Sequence, residues 1–292
     1  MKQYTVIISG GTGFIGSNLI NELILKKWHV HVIARNRTNT INLIKNFPSI
    51  DIHIHDGSTE NLIFLFKKIN ADLLFHLATY YKAEHIIADV VPMLSSNVIF
   101  GTQLLEAMSN SKTRKLVNVG TTWQNFNDNS YNPVCLYAAT KQAFEDIQQF
   151  YVESFNISSI NLKLTDTFSF YDKRDKILNY ILKSPANTTI LMSEGNQIID
   201  ILHISDVISG LLISANLLLE NKLSNKNNFS LKSNEQMPLK ELVHKFIHIN
   251  NLSINIKWGG KKYRNREVMT PFMPDPLLPT WIQKYSIFSV NF

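Results

Sequence analysis

The segment SGGTGFIG, at residues 9–16 of this 292-residue chain, constrains the fold more than any other feature. It follows an apolar run at residues 4–8 and precedes apolar residues at helical spacing. Three glycines at GxxGxxG spacing permit a tight turn, close approach of phosphates to the backbone, and close packing of a helix on a strand. The pattern therefore predicts a strand, a turn and a helix whose first N–H groups bind the phosphates of a dinucleotide. The predicted cofactor contacts in this turn are Gly10, Thr12, Gly13, Phe14, Ile15 and Gly16.

Strand-like and helix-like segments alternate through the first 165 residues. Alternation of this kind is typical of an α/β fold, in which helices cover both faces of a doubly wound parallel sheet of the Rossmann type. The predicted strands are 4–9, 29–33, 51–55, 72–77, 115–119 and 159–164. The predicted helices are 14–27, 59–69, 89–110 and 137–155.

The alternation becomes irregular after residue 165, where an asparagine-rich stretch at 221–228 and a proline cluster at 271–279 indicate loops. We expect residues 1–165 to form an NADP-binding Rossmann domain, with residues 196–220 returning to it. Residues 166–195 and 221–292 are expected to form a smaller C-terminal cap that binds the substrate. The cleft between such parts is a usual ligand site.

Composition excludes several classes of protein. The chain carries a net charge of +6, but its lysines are scattered, and we interpret the basic cluster at 257–266 as a phosphate clamp rather than a nucleic-acid site. No run of eighteen apolar residues suggests a membrane span, and the histidines lack metal-ligand spacing. The first strand leaves no room for a signal peptide, and the one cysteine, Cys135, fits a reducing compartment. We expect a cytoplasmic protein with no metal, no nucleic acid and no membrane partner.

The residues that follow the predicted strands indicate which dinucleotide binds. Arg35 stands after the second strand, roughly where an NAD-binding chain has an acidic residue, and an arginine suits the 2′-phosphate of NADPH. Asp56 and Gly57 follow the third strand and are expected near the adenine. Leu77, Ala78 and Thr79, at the end of the fourth strand, are expected beside the cofactor phosphates and ribose.

A candidate catalytic set lies around the fifth strand. Tyr137 and Lys141 are four residues apart, so a helix places both side chains on one face. The lysine ammonium, together with an oxidised nicotinamide, is expected to lower the pKa of the phenol from its ordinary value of about 10. Thr122 follows the fifth strand, and its hydroxyl is expected to polarise a carbonyl oxygen while Tyr137 delivers a proton. Lys141 is also expected to bond the nicotinamide ribose.

These motifs resemble the extended short-chain dehydrogenase/reductase family, and the resemblance extends over nearly the whole chain. Further matching features are Asn97 and the segments NVIFGT at 97–102, DILHISD at 200–206 and YRNRE at 263–267. Within it, the stretches HLATYY, LYAATKQAFE, LKLTDTF and YRNREVM are most similar to the CDP-abequose and CDP-paratose synthases. The resemblance implies NADPH-dependent reduction of the 4-keto group of a CDP-linked 6-deoxy or 3,6-dideoxy hexose, in O-antigen synthesis for lipopolysaccharide. It also implies a cofactor contact at Asn97 and a homodimer formed through helices 89–110 and 137–155.

The predicted substrate contacts lie in and before the cap. Arg264, with Arg266, is expected to hold the diphosphate, because a forked guanidinium suits phosphate. Aromatic residues are expected to line the hexose pocket. The complete predicted set is Tyr80, Tyr81, Trp123, Asp166, Thr167, Lys176, Arg264 and Arg266.

Departures from the family pattern separate the possible reactions. Dehydratases of this family follow the catalytic threonine with an Asp-Glu pair, whereas Thr122 is followed by Trp123 and Gln124. Reductases that also epimerise C3 and C5 have a cysteine where Trp123 stands. A nucleotide-sugar 4-epimerase with tightly held NAD stays open, although Arg35 argues against it. A third alternative is a catalytically silent NADP-binding protein that regulates a partner or binds RNA, against which the intact set of Thr122, Tyr137 and Lys141 argues.

Overall fold

A seven-stranded sheet forms the centre of the computed structural model, which describes residues 3–35, 40–127 and 131–288. Its strands are all parallel and lie in the order β11-β6-β5-β4-β1-β2-β3. They are β1 (Thr5–Ser9), β2 (His29–Ala34), β3 (Asp51–Ile54), β4 (Leu73–His76), β5 (Lys115–Thr121), β6 (Ser158–Leu164) and β11 (Lys226–Ser230).

Helices cover both faces of this sheet. The helices of the described residues are α1 (Phe14–Leu25), α2 (Ile41–Asn46), α3 (Thr59–Ile69), α4 (Val90–Leu94), α5 (Phe100–Ser109), α6 (Leu136–Phe155), α7 (Ile177–Lys183), α8 (Ile204–Leu219) and α9 (Leu239–Ile249), of which α7 and α9 pack in a separate core. A π-helix (Ser95–Ile99) joins α4 to α5, and two 3₁₀ turns (Ile87–Asp89 and Thr122–Gln124) precede α4 and follow β5.

Successive residues of each strand enter different cores because side chains alternate between the two faces of a sheet. Val6 and Ile8 pack in one core with α1 and α8, whereas Ile7 packs in a second core with α3, α5 and α6. Burial of both faces explains why the strands read as continuous apolar runs rather than as alternating ones.

The order of the strands fixes where a ligand can enter. β1 lies between β2 and β4, so the chain builds the sheet in one direction as far as β3 and in the other direction from β4 onwards. A crevice opens at such a switch point, beyond the carboxyl ends of the two central strands. The glycine-rich turn follows β1 directly at this crevice.

Shorter strands and two helices form a cap over the carboxyl edge of the sheet. β7 (Asp166–Phe168) pairs with β10 (Ile201–His203), β8 (Thr189–Leu191) with β13 (Asn255–Lys257), and β9 (Ile198–Ile199) with β12 (Met237–Pro238). The cap has its own core, in which Leu178 and Ile181 of α7 pack with Leu242 and Phe246 of α9.

The predicted α/β class and doubly wound parallel sheet are confirmed, and the six predicted strands differ from the observed ones by at most two residues at either end. The structure differs from the predicted division in two places. Residues 226–230, assigned to the cap, form edge strand β11 of the large sheet, and residues 198–203, assigned to the Rossmann domain, form β9 and β10, which pair with strands of the cap. The polar sequence KNNFS of β11 looked like a loop, yet an edge strand needs only backbone pairing on one side. The rest of the division stays a prediction.

Among the described residues, none of the helices combines the length and hydropathy needed to cross a bilayer.

Candidate active site

A cleft of about 650 Å³ lies at the carboxyl ends of β1, β4, β5 and β6, between the large sheet and the cap. Most of the residues predicted from the sequence to bind cofactor or substrate line it. They are Gly10, Thr12, Gly13, Phe14, Ile15, Gly16, Arg35, Gly57, Leu77, Ala78, Thr79, Tyr81, Thr122, Trp123, Tyr137, Lys141, Asp166, Thr167 and Lys176. The topology thus gathers side chains from widely separated parts of the chain into one site.

The glycine turn is packed too closely to accept side chains. Gly10 has a φ of +80°, and a Cβ atom there would lie 2.5 Å from the Ala78 nitrogen. A Cβ on Gly16 would collide with the Gly10 carbonyl oxygen, and the Gly13 N–H donates to that same oxygen at 3.0 Å. Helix α1 then begins with no side-chain cap and no acidic residue in its first turn. Its first N–H groups and its positive dipole end are therefore free to bind phosphate, which fits a dinucleotide cofactor.

Arg35 and Gly57 line the outer end of the cleft, whereas Asp56 does not. Arg35 is exposed at the end of β2. The Asp56 carboxylate accepts from the Ser58 N–H at 2.9 Å and from Asn61 Nδ2 at 3.0 Å, and these bonds lower the pKa of Asp56. Its side chain thus stabilises the start of α3 and is not turned to the cleft, where Gly57 is the lining residue.

Thr122, Tyr137 and Lys141 are buried together at the inner end of the cleft. Thr122 lies in the turn after β5. Among the described residues its hydroxyl makes one hydrogen bond, a long one of 3.5 Å to the Leu164 carbonyl, which leaves the hydroxyl available to a ligand oxygen. Tyr137 and Lys141 project from the first two turns of α6 on one face. The constellation predicted from the sequence is therefore assembled in the folded chain.

Burial raises the pKa of Tyr137 well above its ordinary value of 10. The neighbouring Tyr81 and Cys135 raise it further, while a hydrogen bond with Thr79 and the charge of Arg174 act in the opposite direction. The sequence led us to expect a lowered pKa for Tyr137. In the folded chain, however, loss of solvent around the phenol outweighs the hydrogen bond with Thr79 and the charge of Arg174. The phenol is consequently protonated at neutral pH, which is the form that donates a proton.

Lys141 is also perturbed by burial, which lowers its pKa to about 8, although the Glu145 carboxylate partly offsets this effect. His76, at the end of β4, has a pKa lowered to about 3 by burial and by the charge of Lys141. This histidine is therefore neutral, and its Nδ1 lies 2.7 Å from the Ser9 hydroxyl. At neutral pH Lys141 is therefore largely charged, and His76 is not.

Aromatic rings form the wall above these groups. The Tyr81 ring meets the Tyr137 ring edge-on at a centroid distance of 4.9 Å and lies 6.2 Å from the Trp123 ring. Lys176 Nζ lies 4.6 Å from the centroid of the Tyr81 ring and 2.8 Å from an Asp166 carboxylate oxygen. The inner wall of the cleft is thus largely apolar, with one ion pair in it.

Two other predicted residues lie behind the lining and hold it in place. Asn97, in the π-helix, accepts from the Tyr80 N–H at 2.7 Å and donates to the Thr140 hydroxyl at 2.9 Å. The Tyr80 hydroxyl donates to Asp89 at 2.6 Å. Asn97 therefore joins the segment after β4 to helix α6, and neither Asn97 nor Tyr80 lines the cleft.

Arg264 and Arg266 lie near the cleft but do not line it. Arg264 forms two bonds to the Glu267 carboxylate, at 2.9 and 2.6 Å, and its guanidinium carbon lies 5.1 Å from the centroid of the Trp123 ring. Arg266 donates to Asn132 and packs over the ring of Phe126 at 4.4 Å. Their role as a diphosphate clamp stays a prediction.

Sequence reasoning missed Arg174, which also lines the cleft. Its guanidinium carbon lies 4.1 Å from the centroid of the Phe14 ring, and its Nε donates to the buried Asp172 carboxylate at 2.9 Å. Nη2 donates to the Thr167 hydroxyl at 2.9 Å. This arginine therefore connects the cap to the start of α1, a role that the sequence of its loop, with two lysines and two aspartates, did not indicate. Lining residues missed in the same way include Ser95, Ser96, His55 and Gln103.

A model of the NAD dependent epimerase/dehydratase family matches residues 6–224. The chain belongs to this family. Its similarity to CDP-abequose synthases extends over most of its length, which confirms the resemblance predicted from the motifs. The relative from Yersinia pseudotuberculosis is 26% identical over 277 residues, covering 91% of each chain. The relative from Salmonella typhimurium is 25% identical over 282 residues, covering 92% of this chain and 89% of the relative.

Solved structures of this family share the fold of the chain. UDP-glucuronic acid 4-epimerase from Bacillus cereus, solved with UDP-glucuronic acid and NAD, gives a TM-score of 0.81 at 20% identity and covers 97% of this chain and 95% of that one. UDP-glucose 4-epimerase from Thermotoga maritima gives a TM-score of 0.80 at 17% identity, covering 97% and 94%. Likeness at these identities establishes the shared architecture.

Replacing Lys141 with methionine should stabilise the protein at neutral pH. The folded-state pKa of about 8 lies below the ordinary value of 10.5, so the charged lysine opposes folding at every pH below 8. We expect the free energy of unfolding of Lys141→Met to exceed that of the wild type by up to about 3 kcal/mol at pH 7. Between pH 8 and 10.5 the unfolded chain binds more protons at this residue than the folded chain does, so the difference should shrink there.

Urea denaturation of both proteins at pH 7 and pH 10 measures this difference. Lys67→Met, at an exposed position of α3, is the matched control and should change little at either pH. A destabilised Lys141→Met protein at pH 7 would contradict the assignment of Lys141 as a buried, destabilising cation.

Proposed function

We propose that this protein is an NADPH-dependent 4-ketoreductase that acts on a CDP-linked 4-keto-6-deoxy or 4-keto-3,6-dideoxy hexose. The observation that carries the proposal is the burial of Thr122, Tyr137 and Lys141 in one cleft with the glycine turn, with Tyr137 in its proton-donating form. Reduction of a ketone needs a proton donor at the oxygen, and Tyr137 supplies one. The similarity to CDP-abequose synthases supports the CDP-linked sugar.

In the proposed reaction the cofactor supplies the hydride and the protein supplies the proton. NADPH, when bound on the glycine turn, supplies the hydride that adds to the C4 carbonyl carbon. Tyr137 donates its phenolic proton to the carbonyl oxygen as general acid, and the Thr122 hydroxyl holds that oxygen in place. Lys141 provides positive charge beside the phenol as it loses its proton. Arg35, which lines the cleft at its outer end, is the residue we propose to bind the 2′-phosphate.

The acid–base groups of the cleft favour reduction over dehydration. Asp166 is the one carboxylate among the described residues that line the cleft, and its oxygen is 2.8 Å from Lys176. Loss of water across C5 and C6 would need a free base and a second acid beside Thr122, where Trp123 and Gln124 stand. Burial also raises the pKa of Cys135, which makes it a poor base for epimerisation at C3 or C5.

The product of this reaction would enter O-antigen assembly for lipopolysaccharide as a CDP-deoxysugar, made in the cytoplasm. A 4-epimerase is the second candidate, because the same three residues could serve it and two of the solved relatives carry that name. An epimerase retains NAD and needs no external reductant. The exposed Arg35 supports a cofactor with a 2′-phosphate, which enters reduced and leaves oxidised.

Oxidation of NADPH in the presence of the CDP-linked 4-keto-3,6-dideoxy sugar tests the proposed activity. We expect the wild type to consume NADPH stoichiometrically, and Tyr137→Phe to lower kcat at least about 100-fold because the general acid is lost. Tyr285→Phe, in a partly exposed tyrosine outside the cleft lining, is the matched control and should retain activity. Conversion of a CDP-sugar by purified protein without added NADPH would instead support the epimerase.

The choice of NADPH over NADH is tested at Arg35. Loss of one charge-assisted hydrogen bond to phosphate should raise the KM for NADPH about tenfold in Arg35→Ala. The KM for NADH should stay close to its wild-type value, because NADH carries no 2′-phosphate. Steady-state kinetics with both cofactors provide the measurement, with Lys67→Ala as an exposed-cation control. An equal rise in both KM values would contradict a 2′-phosphate contact.

The homodimer implied by the family resemblance is also part of the proposal. Apolar side chains are exposed around α4, α5 and α6, including Ile87 at 95%, Val91 at 71% and Phe150 at 58% exposure. Exposed apolar patches of this kind mark interaction surfaces. We expect sedimentation to give twice the 33.5 kDa chain mass for the wild type and the single mass for a Val91→Lys, Phe150→Lys double variant. A wild-type monomer at micromolar concentration would contradict the dimer.

A further inference from the structure

One cationic side chain in the cleft has no role in the proposed reaction. Among the described residues, the arginines and lysines that line the cleft are Arg35, Lys141, Arg174 and Lys176. Arg35 lies at the outer end and Lys141 is buried at the inner end. Lys176 is paired with Asp166 at 2.8 Å. Arg174 is the cation whose purpose is still open.

Arg174 belongs to the cap but reaches the glycine turn. It lies in the loop between β7 and α7, and its guanidinium carbon is 4.1 Å from the centroid of the Phe14 ring. Phe14 is the first residue of α1 and directly follows Gly13, so its N–H group is among those that have no partner within the helix. The guanidinium of the cap is therefore placed beside the phosphate-binding end of α1.

Two of the three guanidinium nitrogens are fixed by the cap itself. Nε donates to both carboxylate oxygens of Asp172, at 3.0 and 2.9 Å, and Nη2 donates to one of them at 2.7 Å. Nη2 also donates to the Thr167 hydroxyl at 2.9 Å. The Asp172 side chain is fully buried, with 0% exposure. A buried carboxylate is costly unless it is paired, so Asp172 and Arg174 form a built arrangement that holds the guanidinium in one orientation.

The third nitrogen of this guanidinium is available to a ligand. Among the described residues, Nη1 of Arg174 forms no hydrogen bond, and the side chain is 38% exposed and lines the cleft. Its N–H groups can therefore donate to an anion in the cleft, and phosphate oxygens suit a planar guanidinium. Because the orientation is already fixed, little side-chain entropy is lost on binding.

The position of Arg174 along the cleft indicates which anion it binds. A dinucleotide that extends from Arg35 to Tyr137 has its pyrophosphate between the two ends, on the glycine turn. Arg174 lies over Phe14 at that turn, and its charge also acts on Tyr137. The pyrophosphate carries two negative charges, whereas the N-terminus of α1 offers only about half a positive charge. A cation from the cap completes the neutralisation of this group.

The other arginine near the cleft is associated with a different part of the sheet. The guanidinium carbon of Arg264 lies 5.1 Å from the centroid of the Trp123 ring, in the turn after β5. Phe14, the contact of Arg174, follows β1, and β4 lies between β1 and β5. The cap thus brings two separate arginines to two separate places, which fits two diphosphates, one in the cofactor and one in the substrate.

We propose that Arg174 binds the pyrophosphate of the dinucleotide cofactor from the cap side, so that the bound cofactor joins the cap to the glycine turn. This inference rests on the proposed function only in requiring a dinucleotide on that turn, and it does not depend on the sugar. Arg174 should strengthen the binding of NADPH and NADH alike, because both contain the same pyrophosphate. Arg35 should distinguish the two cofactors.

Removal of the pair formed by Asp172 and Arg174 tests this role in the free protein. Arg174→Met alone would leave a buried carboxylate without its partner, so the variant to use is the double one, Asp172→Asn with Arg174→Met. We expect its Kd for NADPH and its Kd for NADH each to rise at least about tenfold, because charge-assisted hydrogen bonds to phosphate are lost. Fluorescence titration without substrate measures both. Lys173→Met, at an exposed cation of the same loop, is the matched control and should bind both dinucleotides like the wild type.

Adenosine 2′-monophosphate distinguishes loss of the pyrophosphate contact from general damage to the site. This nucleotide has the 2′-phosphate but no pyrophosphate, so its Kd should be the same in the double variant and in the wild type. Arg35→Ala should weaken its binding. An equal loss of affinity for this nucleotide and for NADPH in the double variant, or an unchanged Kd for both dinucleotides, would overturn the role of Arg174.

Backbone hydrogen exchange tests the link between the cofactor and the cap. Saturating NADH should slow exchange at the amides of residues 169–176 in the wild type and in Lys173→Met. The double variant should show less protection of this loop at the same saturation, because the contact with the pyrophosphate is absent. Equal protection in the double variant and the wild type would overturn the link.

These measurements need no turnover, so the two proposals can fail separately. If Arg174 contributes to dinucleotide binding but no CDP-linked 4-keto sugar is reduced, the proposed function is overturned and the role of Arg174 stands. If the sugar is reduced but the double variant binds both dinucleotides like the wild type, the reductase stands and the role of Arg174 is overturned. A raised Kd for CDP with unchanged Kd values for the dinucleotides would also overturn it, since Arg174 would then bind the diphosphate of the substrate.

Discussion

Exclusion of water from one face of helix α6 is the constraint on which the chemistry of this protein depends. Burial keeps the Tyr137 phenol protonated and weakens the hold of Lys141 on its proton. In solvent the same two side chains would have ordinary pKa values. The parallel sheet creates this burial, since β5 and β6 lie under α6 while the carboxyl ends of the central strands open into the cleft.

The glycine turn offers a binding site for the phosphates of a charged cofactor next to the buried face of α6. Its backbone is packed too closely for side chains, at Gly10 against the segment after β4 and at Gly16 against the Gly10 carbonyl. Phosphate can then bind to backbone N–H groups and to the positive dipole end of α1. No buried cation is needed, so no further carboxylate is needed to neutralise one. Arg174 packs over Phe14 at the start of α1, so the cap is attached to the same turn. The cap and the glycine turn are therefore in contact at the cleft.

Much of this architecture could be predicted from the sequence, because its signals are local. The glycine spacing and the apolar runs predicted the parallel sheet. The four-residue separation of Tyr137 and Lys141, with Thr122 after the fifth strand, predicted the catalytic set that the cleft contains. Strand β11 was missed because its polar sequence is stabilised by pairing with β6, a contact distant in sequence. Asp56 was expected near the cofactor, yet its carboxylate is bonded within the start of α3. The direction of the Tyr137 pKa shift depends on burial, which the spacing of two residues does not reveal.

Transfer of deuterium from NADPH labelled at C4 of the nicotinamide tests the central claim most directly. The account predicts one deuterium at C4 of the CDP-linked sugar product, detected by NMR and mass spectrometry, with NADP formed in equal amount and no label at C3, C5 or C6. Solvent deuterium should enter only the exchangeable hydroxyl that Tyr137 protonates. Conversion of a CDP-sugar without label at C4, or label at C5 or C6, would contradict a 4-ketoreductase and point to an epimerase or a dehydratase.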